Sequence, residues 1–278
     1  YTTLFRSRAE HYRRTLSIEW IGEEMPPWSK PCPIHARVEP NLGAGGATSF
    51  MFDRGEVFGW RMNIQGDRQR LLDSVLPHEV THTIFACYFR QPLPRWADEG
   101  ACTTVEHPEE VKKQERMLIK FLKERRGIPF SQMFAMKEYP RDVLPLYSQG
   151  HSLAQMLIEL RGRQAFLDFL SDGLRDENWP RAVRAHYGHQ NLFALQTDWL
   201  DWVKSGRPNL TPSADPAVQL ASTDPPPVVR GQSPDRTAPQ PSVYAKMAAA
   251  GRTENVQDRS ASRAPVRDAS APTNSVWR

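Results

Sequence analysis

The chain has 278 residues, 39% of them apolar and eight of them tryptophan, enough to bury a sizeable core in one large domain or two small ones. Its net charge is +4, but nine of its 36 basic and six of its 32 acidic residues follow Ser205. The remaining 27 basic and 26 acidic groups nearly cancel, which argues against a nucleic-acid-binding face on the folded part. Cys32, Cys87 and Cys102 are too few for a disulfide framework, and no apolar run reaches the ~20 residues of a membrane span. Because it begins with Tyr1, the sequence reads as a fragment that a leader could precede.

In chain order, residues 1–66 read as strands and turns. Leu16–Gly22, Pro33–Pro40, Ala47–Asp53 and Val57–Gly66 are β-branched and aromatic, and Arg54-Gly55-Glu56 offers a hairpin turn. From Asp67 the period changes. Leu71, Leu72, Val75, Val80, Ile84 and Phe85 recur at helical spacing, with Pro77 either kinking one helix or opening a second. Further helices are expected over Trp96–Glu106, along the Val111–Leu122 stripe ended by Gly127, over Tyr147–Leu160, and in the two apolar segments that follow. Strands first and helices after predict an α+β domain over residues 1–205. A small antiparallel sheet should cover a helical half, with a cleft between them. Residues 206–278 hold eleven of the 24 prolines among Ser, Thr, Ala and Gln, and predict a disordered tail.

Chemistry concentrates between Leu76 and Cys102. His78 and His82 stand four apart, so on a helix both imidazoles can face one ion, as tetrahedral zinc requires. Glu79 is offset from them and can act as general base on a water held by the ion. A catalytic zinc needs a third protein ligand. The Pro-broken segment Arg90–Arg95 can return the chain so that Glu99 supplies it. Asp98 is the alternative ligand, or an acceptor for a ligand imidazole, and Glu106 is a further acceptor candidate. Cys87 and Cys102 read as small buried residues.

The stretch "HEVTH…LPRWADEGA" resembles the gluzincin pattern of the peptidase MA superfamily, and "LYSQGHSLAQML" (Leu146–Leu157) is similar to the tyrosine-bearing segment of its aminopeptidases. The similarity spans roughly residues 60–205. It implies a zincin-like fold, a zinc cofactor, a peptide or protein substrate, and Tyr147 as the group that steadies the oxyanion. The amine-gripping strand of those aminopeptidases is absent from Phe58–Asp67, so an endopeptidase is expected. His151 is the other oxyanion candidate, although a structural role suits it better. Trp60, Arg61 and Asn63 lie on a strand that could align a substrate by β-augmentation. Members with this pattern are often exported bacterial proteins, which implies an extracytoplasmic setting. A non-catalytic binding module and a zinc hydrolase of a non-peptide bond stay open as alternatives.

Overall fold

A computed structural model describes residues 2–26 and 31–210. Helix α1 (Thr2–Ile21) precedes strands β1 (Ile34–Val38), β2 (Gly45–Asp53) and β3 (Glu56–Gly66). Helix α2 (Arg68–Arg70) runs through a π-helical turn (Leu71–Val75) into α3 (Leu76–Phe89) as one continuous rod. There follow α4 (Arg95–Thr103), α5 (Pro108–Lys123), α6 (Phe130–Phe134), α7 (Leu144–Asp176), α8 (Trp179–Tyr187) and α9 (Leu192–Lys204). The architecture is α+β, a small three-stranded sheet beside a mainly helical remainder. No helix among the described residues is long and apolar enough to cross a membrane.

Two expectations for the first 66 residues are corrected. Leu16–Gly22 is the end of α1, not a strand. Phe5, Ala9, Tyr12, Leu16 and Trp20 form a helical stripe that buries against the core, with Trp20 edge-on to Phe85 at 4.9 Å. Gly22, with φ 79°, ends the helix by donating to the Ile18 carbonyl at 3.0 Å. The sheet is also mixed rather than antiparallel. Its order is β1-β3-β2, with β1 parallel and β2 antiparallel to β3. Residues 39–44 carry the chain past the end of β3, so β1 and β2 flank it. The expected hairpin is present, with Arg54 and Gly55 both at positive φ (46° and 80°) as a two-residue turn matched to strand twist requires. Asn63 pairs with His35 of β1 and Ala47 of β2, so it cannot offer an open edge to a substrate, whereas Trp60 and Arg61 lie beyond the register of β1; the outer strands are β1 and β2.

In the helical half the boundaries shift modestly. Pro77 sits in the first turn of α3, directly after the π-helical turn, and does not break the rod. The helix expected to reach Glu106 ends at Thr103. Gly162 interrupts α7 with φ 83° and ψ 169°, where the sequence places a helix end, and the helix resumes beyond it. The core is aromatic, with Trp20, Trp96, Trp199, Phe130, Phe166 and Phe169 fully buried. Residues 206–210 remain against the domain. Arg207 pairs with Glu115 at 3.1 Å, and the Trp202 indole donates to the Pro208 carbonyl. The rest of the expected tail, 211–278, lies outside the described residues.

The contact that positions the site is between α4 and α7. A Cβ on Gly100 would overlap the Gly150 carbonyl, and one on Gly150 would meet the Trp96 carbonyl. The two backbones therefore touch, with Ala97, Ala101 and Ala154 fully buried around the crossing. Replacing Gly100 by Ala is expected to destabilise the fold by about 1 kcal/mol. Overpacking of this kind costs roughly 1–3 kcal/mol, against a helix-propensity gain of about 1. Urea unfolding of the two proteins measures the difference, and a more stable variant contradicts the tight crossing.

His151 lies beside this crossing, 1% exposed, and neither ring nitrogen meets a partner at hydrogen-bonding geometry. Burial pulls its pKa down to about 4, helped by the nearby Arg207 charge. A histidine depressed from about 6.5 is neutral in the fold and charged in the acid-unfolded chain, so the unfolded state binds more protons. Its contribution is complete above pH 6.5 and lost as pH falls towards 4, roughly 3 kcal/mol in all. His151→Leu is expected to flatten the pH dependence of the unfolding midpoint in that window; an unchanged slope contradicts the assignment.

Candidate metal centre

The rod from α2 to α3 presents His78 and His82 one turn apart, and their Nε2 atoms stand 3.1 Å from each other. The Arg90 backbone, at φ 53°, ends α3. Residues 91–94 return the chain, and α4 brings Glu99 opposite. Glu99 Oε2 is 3.4 Å from His78 Nε2 and 3.7 Å from His82 Nε2. A tetrahedral ion with ligands at ~2.0–2.1 Å separates those ligands by ~3.3 Å, so the three atoms fit a small divalent ion such as zinc. His82 and Glu99 are buried, and the His78 side chain is 12% exposed.

The other nitrogen of each ring is also held. His78 Nδ1 bonds Glu106 Oε1 at 2.7 Å, and His82 Nδ1 bonds Asp98 Oδ1 at 2.8 Å. A carboxylate at Nδ1 keeps the proton there and leaves the Nε2 lone pair facing the centre. Asp98 thus meets the back of an imidazole rather than the centre, as does Glu106.

Cys102, one turn beyond Glu99, is closer to this centre than its spacing suggested. His78, His82 and Cys102 each offer a ligand atom within 4.8 Å of the others, so this group could hold a metal ion. The thiol, however, approaches His82 at Nδ1, 3.4 Å away, on the side already turned to Asp98. Glu99 shares the Nε2 side with both histidines; Cys102 does not. Cys102 is fully buried, as expected of a small core residue, while Cys87 is only partly buried.

The charges of the cluster are compatible with a bound cation. Glu79, Asp98, Glu99 and Glu106 crowd two imidazoles where water is largely excluded. With no ion, the imidazoles take up protons. Burial works against this, but bonds to Glu106 and Glu99 outweigh it and raise His78 to about 10. His82 is likewise raised, burial being outweighed by the Asp98 carboxylate at its Nδ1. Burial would push Glu99 upward, yet its bonds to His78 and His82 hold it well below the usual carboxylate range.

Glu79 projects from α3 onto β2. Thr48 Oγ1 donates to Glu79 Oε2 at 2.6 Å, and a Cβ on Gly46 would overlap Oε1. Gly46 and Thr48, two apart on one face of β2, therefore form the seat of this carboxylate. Burial raises the Glu79 pKa, only partly countered by the two histidines and Thr48. Tyr147, half-buried at the start of α7, has its pKa raised well above 10 by burial and by the Glu99 charge. His151 lies deeper along α7 against Gly100 and does not join the cluster.

Sequence reasoning missed three contributors. Tyr139, in the loop between α6 and α7, donates its hydroxyl to Glu99 Oε1. The sequence places Thr48 only on the strand Ala47–Asp53 and leaves Gly46 just ahead of it. The alternation of buried and exposed residues along β2 could have marked Thr48 as facing α3, but nothing periodic marks Tyr139. Compared with known proteins, the chain matches no family model, no curated protein and no solved structure.

Proposed function

We propose that the protein is a zinc-dependent endopeptidase. One observation carries this reading: Nε2 of His78, Nε2 of His82 and Oε2 of Glu99 lie 3.1–3.7 Å apart, with the Glu79 carboxylate seated beside them and committed to no ion pair. His78, His82 and Glu99 would hold a zinc ion, which would supply Lewis acidity to a scissile carbonyl and to the attacking water. Glu79 does the proton work. Its Oε2 is anchored by Thr48, so Oε1 accepts the water proton and later passes it to the leaving amine. A buried carboxylate with a raised pKa is suited to both halves of that transfer. Tyr147 donates a hydrogen bond to the developing oxyanion, and burial keeps the phenol protonated.

The reading of a peptide substrate is supported by β2. It is an edge strand that carries Gly46 and Thr48 against the base and continues to Asp53, so an extended chain can pair with it on either side of the reacting bond. That suits cleavage within a chain better than at its end. A second reading, a structural metal in a non-catalytic module, is favoured by one feature, the Cys102 thiol close to His82. Cleavage assays separate the two.

Glu79→Gln is expected to bind one zinc per chain and to lose casein cleavage by a factor of about 10²–10⁴. Chelation should silence the parent enzyme reversibly. Cleavage by the variant at the parental rate sinks the general-base role, and a parent protein that retains zinc but cleaves no peptide pool favours the module.

Thr48→Val removes a charge-assisted hydrogen bond worth roughly 1.5–3 kcal/mol, and kcat should fall about tenfold or more with KM little changed. Thr48→Ser should restore it. Equal losses in the Val and Ser variants point to strand packing instead.

A further inference from the structure

We infer that Tyr139 is a positioning residue that holds Glu99 to one metal-facing oxygen, an inference that rests on the metal reading given above. The two oxygens of Glu99 have different company. Oε2 stands 3.4 and 3.7 Å from the two histidine Nε2 atoms, whereas Oε1 accepts the Tyr139 hydroxyl. A free carboxylate can turn both oxygens to one cation. That would fill the position a catalytic site must leave for water and substrate. A hydroxyl bonded to Oε1 withdraws its lone pair and fixes the plane of the carboxylate, so Oε2 alone is left to ligate.

Tyr139 is itself held firmly for a loop residue. The Arg95 guanidinium lies 4.7 Å above the centre of its ring, and Arg95 Nε donates to the Lys137 carbonyl at 3.1 Å. One arginine thus grips both the ring and the backbone two residues before it. Arg95 is 1% exposed and lies one turn before Glu99, on the same face of α4. The Tyr139 ring also stacks on Tyr147, with centroids 6.4 Å apart and planes 20° from parallel. The helix that carries the carboxylate therefore also carries the clamp for the tyrosine that orients it. This coupling ties the 135–143 loop to the geometry of the metal position and sets Tyr139 apart from Tyr147, whose proposed partner is the substrate.

The test uses the full chain stripped of metal, as parent, Tyr139→Phe and Glu99→Gln. Zinc affinity is read by competition with a chromophoric chelator, and coordination by the visible absorption of the cobalt-loaded proteins. The Phe variant keeps the ring between Arg95 and Tyr147, and circular dichroism checks its fold. It should bind zinc about 10–100-fold more weakly than the parent, with weaker cobalt bands as the coordination number rises above four. Parental affinity and spectrum in Tyr139→Phe, beside a Glu99→Gln protein that has lost the ion, overturn the role of Tyr139 alone. Parental affinity in Glu99→Gln overturns the ligand assignment and this inference with it.

Discussion

The backbone of α4 rests directly on that of α7 where Gly100 meets Gly150, and the candidate site depends on that contact. Glu99 precedes Gly100, so its direction is set by a backbone crossing rather than by a flexible loop. Side chains at such a crossing can hop between rotamers, whereas two touching backbones cannot shift without opening the core. The small residues Ala97, Ala101 and Ala154 keep the helices close along the same line. In this fold the Glu-Gly pair thus has a mechanical sense. The carboxylate reaches across to α3, and the glycine lets the opposite face of α4 lie against α7. Tyr147, three residues before Gly150, is positioned by the same crossing.

Against that rigid frame stands an electrostatic arrangement that is costly as it is. Four carboxylates share a poorly solvated space with two imidazoles, and each histidine is approached by an acid at Nδ1. Isolated buried charges cost several kcal/mol each even after relaxation, so the ionised acids of this cluster need positive charge beside them. Protons on His78 and His82 supply part of it, which is why both titrate far above an ordinary histidine. A divalent ion held as proposed would supply it better, because it would meet three acceptor atoms at once and release those protons. The Cys102 thiol does not contribute charge, since burial raises its pKa.

What the sequence disclosed and what it concealed follow from the range of the interactions. The relation of His78, Glu79 and His82 is local to one helix, so a four-residue spacing states it completely. Glu99 needed only the inference that Arg90–Arg95 returns the chain. Helical stripes located α3, α5 and α9 to within a few residues for the same reason. The concealed features are non-local or locally ambiguous. Leu16–Gly22 has the composition of a strand, and only the longer stripe from Phe5 to Trp20 shows the helix. The parallel pairing of β1 with β3 depends on how residues 39–44 cross the sheet, which no alternation records. Tyr139 comes forty residues after Glu99, from an irregular loop, and no periodicity could assign it a partner.

The two carboxylates of the site, Glu79 and Glu99, carry the same chemical group, and their surroundings drive them in opposite directions. Both are buried, so desolvation alone would make both weak acids. Glu99 faces two imidazole nitrogens that overcome this, and its lowered pKa keeps it ionised, as the proposed ligand role requires. Glu79 has one hydroxyl donor in Thr48 and more distant imidazoles, and its pKa stays raised. A ligand benefits from permanent charge, while a proton carrier benefits from nearly balanced protonation states. The division is set by sheet and helix rather than by the residues themselves. The acid that α4 turns towards the histidines becomes the anion, and the acid that α3 lays on β2 keeps the capacity to exchange a proton. Swapping their roles would require moving a strand, not a side chain.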